Sequence, residues 1–259
     1  MAAAIRIFDT ATEAAFWVAG AVEREVRSAE DSDGHAVLGL PTGATPAPVY
    51  AELVRRHREE GLDFSRATIF NLDEYWPMQP SHPLSFARSM KERLIGPVGI
   101  AADRFHIPDG TCPEEEVDEH CTRYRAAIAD AGGIGLQLLG LGANGHIGFN
   151  EPGTSPDSIA RLVRLAPETV ERIRGQHPDK DVPTHGITLG VKGILAARRV
   201  IMMVTGEHKA DIARRALQEP ETPDVPASFL QRHRSAHWVF DREAASALDL
   251  RSLPVEIAE

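Results

Sequence analysis

The stretch LGLGANGHIGFNEPG, Leu139–Gly153, continues the apolar run Ile134–Leu139 and contains five glycines. Glycine loses more backbone entropy on folding than any other residue, so this density indicates positive φ angles or a close approach to another group. The polar side chains among these glycines are those of Asn144, His146, Asn150 and Glu151. An ordinary turn with a surface histidine would explain a lone imidazole, but the clustering favours a buried strand that ends in a ligand-binding loop.

The whole chain reads as an alternation of strands and helices around that strand. Its 259 residues are 42% hydrophobic and 25% charged, which is ordinary for a globular protein large enough to bury a sizeable core. No change in composition and no internal repeat marks a domain boundary. We therefore predict an α/β fold, a single doubly wound Rossmann-like domain over residues 1–259 with a mostly parallel central sheet.

Apolar and amphipathic patterns give the predicted elements. Strands are expected at Ile5–Phe8, Ala36–Leu40, Ala67–Leu72, Arg104–Ile107, Ile134–Leu139, Arg161–Leu165, His185–Leu189, Val200–Val204 and Ala236–Phe240. Helices are expected at Thr12–Ala29, from near Ala47, at Leu84–Leu94, at Pro113–Ala131, from Thr205 to about Gln218, and briefly after the last strand.

The charge and cysteine content exclude several classes of function. A net charge of −10 disfavours binding to nucleic acid and to anionic membrane surfaces, although it leaves room for a small anion held by a local cluster of cations. No run of about 18 apolar residues and no signal-peptide pattern is visible. Cys112 and Cys121 are too few for a disulfide framework and indicate free thiols. The protein is expected to be cytoplasmic.

Two features predict a seat for a phosphate group. Pro41–Pro46, PTGATP, links a strand to a helix and contains Thr42, Gly43, Ala44 and Thr45. Backbone N–H groups at a helix N-terminus bind anions, although many turns of this kind bind none. Lys209 falls in a predicted first helical turn, where its charge opposes the helix dipole unless an anion lies there or the side chain is simply solvated.

Acidic and imidazole groups suited to proton transfer follow two of the strands. Asp73 and Glu74 come after the strand Ala67–Leu72, so Asp73 is a candidate general base, unless it caps the next turn or is simply solvated. Glu151 could orient His146 through one ring nitrogen and leave the other nitrogen to react. The set suits a phosphorylated substrate that undergoes proton transfers.

Other catalytic chemistries lack their sequence patterns. The chain has no G-x-S-x-G elbow, and Gly140–Gly145 does not form G-x-G-x-x-G before a helix, so serine acyl transfer and a dinucleotide site are not expected. His146 and Glu151 are too few to hold a catalytic metal. We expect no metal and no cofactor.

Five blocks of the chain resemble the glucosamine-6-phosphate deaminase family in that family's order. They are GANGHIGFNEP (Gly142–Pro152), FNLDEY (Phe70–Tyr75), LGLPTGATP (Leu38–Pro46), VPTHGITLG (Val182–Gly190) and TGEHK (Thr205–Lys209). The resemblance spans about Val37 to Ser246. It implies conversion of glucosamine 6-phosphate and water to fructose 6-phosphate and ammonia, an aldose–ketose isomerisation in amino sugar metabolism that is coupled to hydrolytic deamination.

The resemblance also implies roles for single residues. Asp73 would move a proton between C2 and C1 through an enolamine, and His146 would open the pyranose ring with Glu151 as its partner. Asn144 stands where many members have aspartate, so it can contribute hydrogen bonds only. Thr42–Thr45 and Lys209 would bind the phosphate. Arg174 is favoured as the phosphate-binding arginine, with Arg172 second.

Some positions depart from the family pattern and leave alternatives open. Gly175 and Gln176 follow the arginines where aromatic residues are usual, and Phe86 stands where tyrosine is common. Val163 replaces a lysine found in allosterically activated members, so we expect no activation by an acetylated sugar phosphate. The alternatives are a 6-phosphogluconolactonase, another aldose–ketose isomerase and a non-catalytic sugar-phosphate sensor. Assembly as a homo-oligomer is also left open.

Overall fold

The computed structural model of the protein describes residues 4–31, 34–253 and 255–257. Its strands are β1 (Ala4–Phe8), β2 (Ala36–Leu40), β3 (Ala67–Asn71), β4 (Asp73–Trp76), β5 (Phe105–His106), β6 (Leu136–Gly140), β7 (Arg161–Arg164), β8 (His185–Thr188), β9 (Arg199–Val204), β10 (Ala236–Asp241) and β11 (Val255–Ile257). Its α-helices are α1 (Ala11–Asp31), α2 (Ala47–Glu60), α3 (Phe86–Met90), α4 (Val117–Asp130), α5 (Pro167–Gln176), α6 (Val191–Leu195) and α7 (Ala210–Gln218).

Shorter helical turns complete the described chain. A π-helical turn, Lys91–Ile95, continues α3, and a 3-10 turn, Glu207–Lys209, leads into α7. The other 3-10 turns are Ala102–Arg104, Glu114–Glu116, Pro226–Arg232 and Leu250–Ser252. Within the described residues, no helix combines the length and the apolar character needed to cross a membrane.

Eight of the described strands form one sheet in the order β11-β1-β10-β9-β6-β2-β3-β5. Every neighbouring pair in this sheet is parallel. The chain runs from β2 outward to β3 and β5, and then returns to β6 on the other side of β2. The order therefore reverses between β2 and β6, and in such sheets ligands bind in the crevice beyond the strand ends at that point.

Both faces of this sheet are covered, which confirms the predicted doubly wound α/β fold. In β9, Val200, Met202 and Val204 belong to one buried apolar cluster, while Ile201 and Met203 belong to the other. The first cluster includes residues of α4, α6 and α7, and the second includes residues of α1 and α2. This alternation explains why β9 is apolar throughout: a strand covered on both faces needs no polar side.

A small antiparallel sheet, in the order β4-β8-β7, adjoins the large one. Asp73 of β4 and Arg161 of β7 both pair with Thr188 of β8. One residue, Leu72, separates β3 from β4, and its carbonyl accepts a hydrogen bond from Leu189 N at 2.7 Å. Asp73 therefore lies at the junction of the two sheets.

Several predicted elements differ from those observed. The predicted strand Ala67–Leu72 is observed as β3, which ends at Asn71, and a second strand, β4, follows Leu72. Strand β4 was not predicted, because its sequence is polar and lacks an apolar pattern. The helix α5 was not predicted, because its residues are mostly polar. The short helix expected after β10 is instead a run of turns followed by the 3-10 turn Leu250–Ser252.

The packing of α6 gives a test of the fold. A Cβ on Gly190 would lie 2.2 Å from the carbonyl oxygen of Ser158, which is backbone and cannot move away cheaply. Gly190→Ala is therefore expected to lower the free energy of unfolding by about 2 kcal/mol or more. Gly175→Ala is the control, because its added Cβ would have no atom within 4 Å apart from its chain neighbours and the backbone of its own helix. Equal stability of the two variants in urea titrations would contradict the packing described.

Candidate active site

The loops that follow β2 and β6 meet where the strand order reverses. A Cβ placed on Gly140, the last residue of β6, would lie 3.9 Å from Cβ of Thr45 in the loop after β2. The β6 loop therefore lies beside the predicted phosphate loop. The polar loops that follow β2 and β6 therefore line the same crevice.

Glycines give the β6 loop its shape. Gly142 N donates to His146 O at 2.9 Å, and Gly145 N donates to Gly142 O at 3.0 Å. Gly145 has a φ of +89°, a conformation that favours glycine. A Cβ on Gly142 would lie 2.3 to 2.4 Å from three atoms of the His146 ring. The glycine spacing seen in the sequence therefore makes the room that the imidazole occupies.

Asn144, His146 and Glu151 form one hydrogen-bonded set. His146 Nδ1 lies 2.8 Å from Asn144 Oδ1 and 3.2 Å from Glu151 Oε2. Asn144 Nδ2 donates to Glu151 Oε2 at 2.9 Å, so Asn144 Oδ1 is the acceptor that faces the imidazole. Since both partners of Nδ1 are acceptors, Nδ1 carries the proton, and Nε2 has the free lone pair in the neutral ring.

The other carboxylate oxygen of Glu151 is also bonded. Thr169 Oγ1 donates to Glu151 Oε1 at 2.7 Å, from the first turn of α5. Burial alone would raise the pKa of Glu151, but the hydrogen bonds and charge of His146, together with the bonds from Thr169 and Asn144, lower that pKa to about 2. Glu151 is thus a fixed anion that orients the imidazole.

Asp73 is a buried carboxylate with the opposite behaviour. Its side chain is 5% exposed, and burial, with a smaller effect from neighbouring Glu74, raises its pKa to about 8. A Cβ on Gly148, which has a φ of +57°, would lie 3.3 Å from Asp73 Oδ2 and 3.0 Å from Thr188 Oγ1. The carboxylate therefore packs against the backbone of the same loop that carries His146.

The sequence left open whether Asp73 caps the next turn, but the capping residue is its neighbour Glu74. The Glu74 carboxylate accepts hydrogen bonds from Phe86 N at 2.9 Å and Ala87 N at 2.8 Å, at the start of α3. Ser85 Oγ donates to it at 2.8 Å. Of the two adjacent acids, Glu74 therefore holds a helix and Asp73 is left for other chemistry.

The predicted phosphate loop runs from β2 into α2. Thr42 Oγ1 is buried and has no hydrogen-bond partner among the described residues, while Gly43 and Ala44 are exposed. Gly43 has a φ of +126°, so the loop takes a backbone shape that few other residues adopt. Tyr50 of α2 donates its hydroxyl proton to Pro41 O and ties the helix to the start of the loop.

Lys209 follows a turn that is held by Asp241. Gly206 N donates to both carboxylate oxygens of Asp241, at 3.1 and 2.9 Å, and Gly206 has a φ of +87°. Lys209 follows in the 3-10 turn that leads into α7. Burial of Lys209, and to a lesser extent the charge of Arg172, lowers the pKa of this lysine to about 8.

The two candidate arginines of α5 point to different surroundings. Arg174 Nη1 bonds to Glu171 Oε1 at 2.8 Å, and 55% of the Arg174 side chain is exposed. Arg172 lies close enough to influence the pKa values of Lys209 and Tyr75. The charge of Arg172 therefore acts on Lys209, whereas Arg174 pairs with Glu171. The two arginines lie on different sides of a helix that the sequence pattern did not predict.

Three residues of the site were not singled out from the sequence. Thr169 bonds to Glu151, Thr188 Oγ1 accepts from Phe149 N at 3.1 Å, and Asp241 holds Gly206. Each of them acts across at least 18 residues of sequence. Only Thr188 lay in a block that had drawn attention, VPTHGITLG. Among the described residues, no group of three or more His, Cys, Asp or Glu side chains could hold a metal ion.

Comparisons with known proteins match nearly the whole chain. The family described as "Glucosamine-6-phosphate isomerases/6-phosphogluconolactonase" matches residues 9–238. A protein of Rhodopirellula baltica named glucosamine-6-phosphate deaminase is 46% identical over 236 residues, which cover 91% of this chain and 92% of that protein.

Solved structures match over a similar extent. A structure described as a monomeric glucosamine-6-phosphate deaminase has a TM-score of 0.89 and 34% identity, and the match covers 95% of this chain and 99% of that one. A 6-phosphogluconolactonase from Trypanosoma brucei has a TM-score of 0.76 and 18% identity, with coverage of 95% and 98%. At this lower identity the likeness concerns the fold alone.

The low pKa of Glu151 predicts how stability responds to acid. A carboxylate whose pKa is lowered on folding stabilises the protein above its unfolded-state pKa, and this contribution disappears as the pH falls from about 4.5 to about 2. Glu151→Gln should remove about 3 kcal/mol of that pH-dependent stability. The measurement is the free energy of unfolding across this range, with Glu168→Gln on the exposed side of α5 as control. The same acid dependence in wild type and Glu151→Gln would contradict the prediction.

Proposed function

The chain belongs to the family of glucosamine-6-phosphate isomerases and 6-phosphogluconolactonases, and we propose that it acts there as a glucosamine-6-phosphate deaminase. It would convert glucosamine 6-phosphate and water to fructose 6-phosphate and ammonia. One observation carries the proposal: a desolvated carboxylate, Asp73, packs against the loop in which Glu151 and Asn144 orient His146. The name of the 46% identical relative supports the same reaction.

Ring opening is assigned to His146. The lone pair on Nε2 takes the proton from the O1 hydroxyl and returns it to the ring oxygen as the C1–O5 bond breaks, which leaves an aldehyde at C1. The imidazole is transiently positive in this step. Ionised Glu151, 3.2 Å from Nδ1, stabilises that charge and keeps the ring oriented.

Isomerisation is assigned to Asp73. The C1 carbonyl acidifies the C2 proton. Asp73 removes this proton while O1 takes one from solvent, which gives an enolamine, and Asp73 then returns its proton to C1. The product is an iminium at C2, and water adds to this carbon before ammonia leaves, so that a ketone remains. Burial raises the pKa of Asp73 to about 8, which makes it a stronger base than a solvated carboxylate.

The phosphate group is assigned to the opposite side of the crevice. Gly43, Ala44 and Thr45 lie in the turn that leads into α2, whose N-terminus favours an anion. Thr42 Oγ1, which is buried without a partner among the described residues, adds a hydroxyl. Lys209 and Arg172 supply positive charge. The electrostatic effect of Arg172 on Lys209 favours Arg172 over Arg174, because two neighbouring cations are suited to one shared anion.

The alternative reactions make less use of this site. A 6-phosphogluconolactonase hydrolyses an ester and needs no base for a proton on carbon. A non-catalytic sensor gains nothing from burying the Asp73 carboxylate, which disfavours its charged form. We favour the deaminase over these two because it uses both Asp73 and the oriented His146. Another aldose–ketose isomerase would use the same two residues, and the name of the 46% identical relative favours the deaminase over it.

We further propose that the protein works in the cytoplasm. The cytoplasm contains sugar phosphates, and its reducing conditions keep thiols such as those of Cys112 and Cys121 free. All of the residues assigned above come from one chain. The structural relative described as monomeric supports a site that is complete without a partner subunit. Formation of a homo-oligomer stays a prediction.

The first test of the function is product formation. Purified protein is expected to release ammonia and fructose 6-phosphate from glucosamine 6-phosphate in equal amounts. Asp73→Asn should lower kcat by about a thousandfold, because the general base is lost, while the substrate still binds in calorimetry. Asp63→Asn, which changes an exposed carboxylate, is the control. Ammonia release by Asp73→Asn at the wild-type rate would remove Asp73 from the mechanism.

The choice between the two arginines has its own test. Arg172→Ala is expected to raise KM about tenfold, because a charge-assisted hydrogen bond to the phosphate is lost. Arg174→Ala, the matched change two residues away, should leave KM within about twofold, since exposed ion pairs contribute little. A larger rise in KM for Arg174→Ala than for Arg172→Ala would reverse the assignment.

A further inference from the structure

Glu74 is almost wholly enclosed by hydrogen-bond donors. Its side chain is 2% exposed, and Oε1 accepts from Tyr75 N at 2.8 Å and Phe86 N at 2.9 Å. Oε2 accepts from Ser85 Oγ and Ala87 N, both at 2.8 Å. Three of the four partners are backbone N–H groups, which can only donate, and the Ser85 hydroxyl donates as well, so the site suits the ionised carboxylate.

The hydrogen bonds to Glu74 connect β4 with helix α3. Ser85 and the first residues of α3 are anchored to β4 only one residue after Asp73. The Phe86 ring then lies 4.5 Å from Tyr75 and 5.7 Å from Phe149, centroid to centroid. Phe149 is part of the loop between His146 and Glu151. The Glu74 carboxylate therefore links the strand of the base to the loop of the imidazole.

We propose that Glu74 is a positioning residue for the reaction: its carboxylate anchors α3 to β4, fixes the Asp73 side chain against the loop of His146, and places a second negative charge beside the base. This inference rests on the proposed deaminase function and adds to it a residue that does not touch the substrate. Glu74 acts through Asp73, by geometry and by charge.

The effect of the charge depends on what else surrounds Asp73. The titratable groups that interact electrostatically with Asp73 are Glu74 and Tyr75 on its own strand, Tyr50 on α2 and Tyr124 on α4. Burial raises the pKa of each of the three tyrosines, so they stay neutral in the working pH range. Burial raises the pKa of Glu74 too, and the hydrogen bonds from its four donors lower that pKa. Glu74 is the second carboxylate of this group, and its negative charge raises the pKa of Asp73 in addition to the larger effect of burial.

Two variants separate anchoring from charge. Glu74→Gln removes the charge and turns an amide N–H₂ toward backbone donors, so it changes both. Ser85→Ala removes one donor to Oε2 and leaves the charge in place. Glu52→Gln is the matched control, because Glu52 is 4% exposed and bonded to Arg55 and Arg56 on α2, away from the small sheet.

The assay is ammonia release as a function of pH, expressed per folded protein. In wild type, kcat/KM is expected to rise with pH through about 8, where Asp73 loses its proton. Glu74→Gln should lower kcat about tenfold with KM changed less than about twofold, since misplacement of a reacting group affects the chemical step. It should also shift the acidic limb to lower pH by about half a unit or more.

Ser85→Ala is expected to lower kcat by about threefold and to leave the acidic limb unmoved, because only positioning is affected. Glu52→Gln should lower stability and change neither kcat nor the pH profile. The inference fails if Glu74→Gln keeps the wild-type kcat and acidic limb, or, should that variant not fold, if Ser85→Ala keeps the wild-type kcat. Absence of activity in the wild type would instead overturn the proposed function.

Discussion

The burial of two adjacent carboxylates by one short strand is the constraint around which the site is built. Placing a carboxylate out of water is unfavourable unless donors surround it or it takes up a proton. The protein uses both solutions on neighbouring residues. Burial raises the pKa of both acids. Glu74 receives four hydrogen bonds that oppose this rise and hold α3, whereas Asp73 receives little compensation and has a pKa raised to about 8. Strand β4, helix α3 and the junction of the two sheets all serve this arrangement.

The two acidic residues beside the His146 loop, Glu151 and Asp73, have pKa values shifted in opposite directions. Glu151 is held near a pKa of 2 by His146, Thr169 and Asn144, and so serves as a permanent anion. Asp73, held against Gly148 on the same loop, can exchange a proton near neutral pH. Pairs of titratable groups separated in this way mark the distribution of acid and base roles. The division explains how one loop can support both ring opening and proton transfer at carbon.

Local pattern predicted the fold well, and long-range contacts explain most of what it missed. The apolar runs of β2, β6 and β9 were recognised because strands covered on both faces are apolar throughout. Strand β4 was not recognised, since its acidic and aromatic residues are buried only through partners far away in sequence. Because α5 was not predicted, the sequence did not indicate that Arg172 and Arg174 lie on different sides of a helix. The assignment of the site residues, and of residues 1–259 to a single domain, stays a prediction.

The register of the small sheet fixes which face of β4 carries the base. Asp73 pairs with Thr188, and neighbouring residues of a strand point to opposite faces. A slip of β4 by one residue would exchange the surroundings of Asp73 and Glu74, leaving the capping acid in the crevice. Insertions between α5 and β8, at residues 177–184, can change the length of that connection without altering this register. Evolution or design can therefore remodel the rim of the site there while the proton-transfer geometry stays constant.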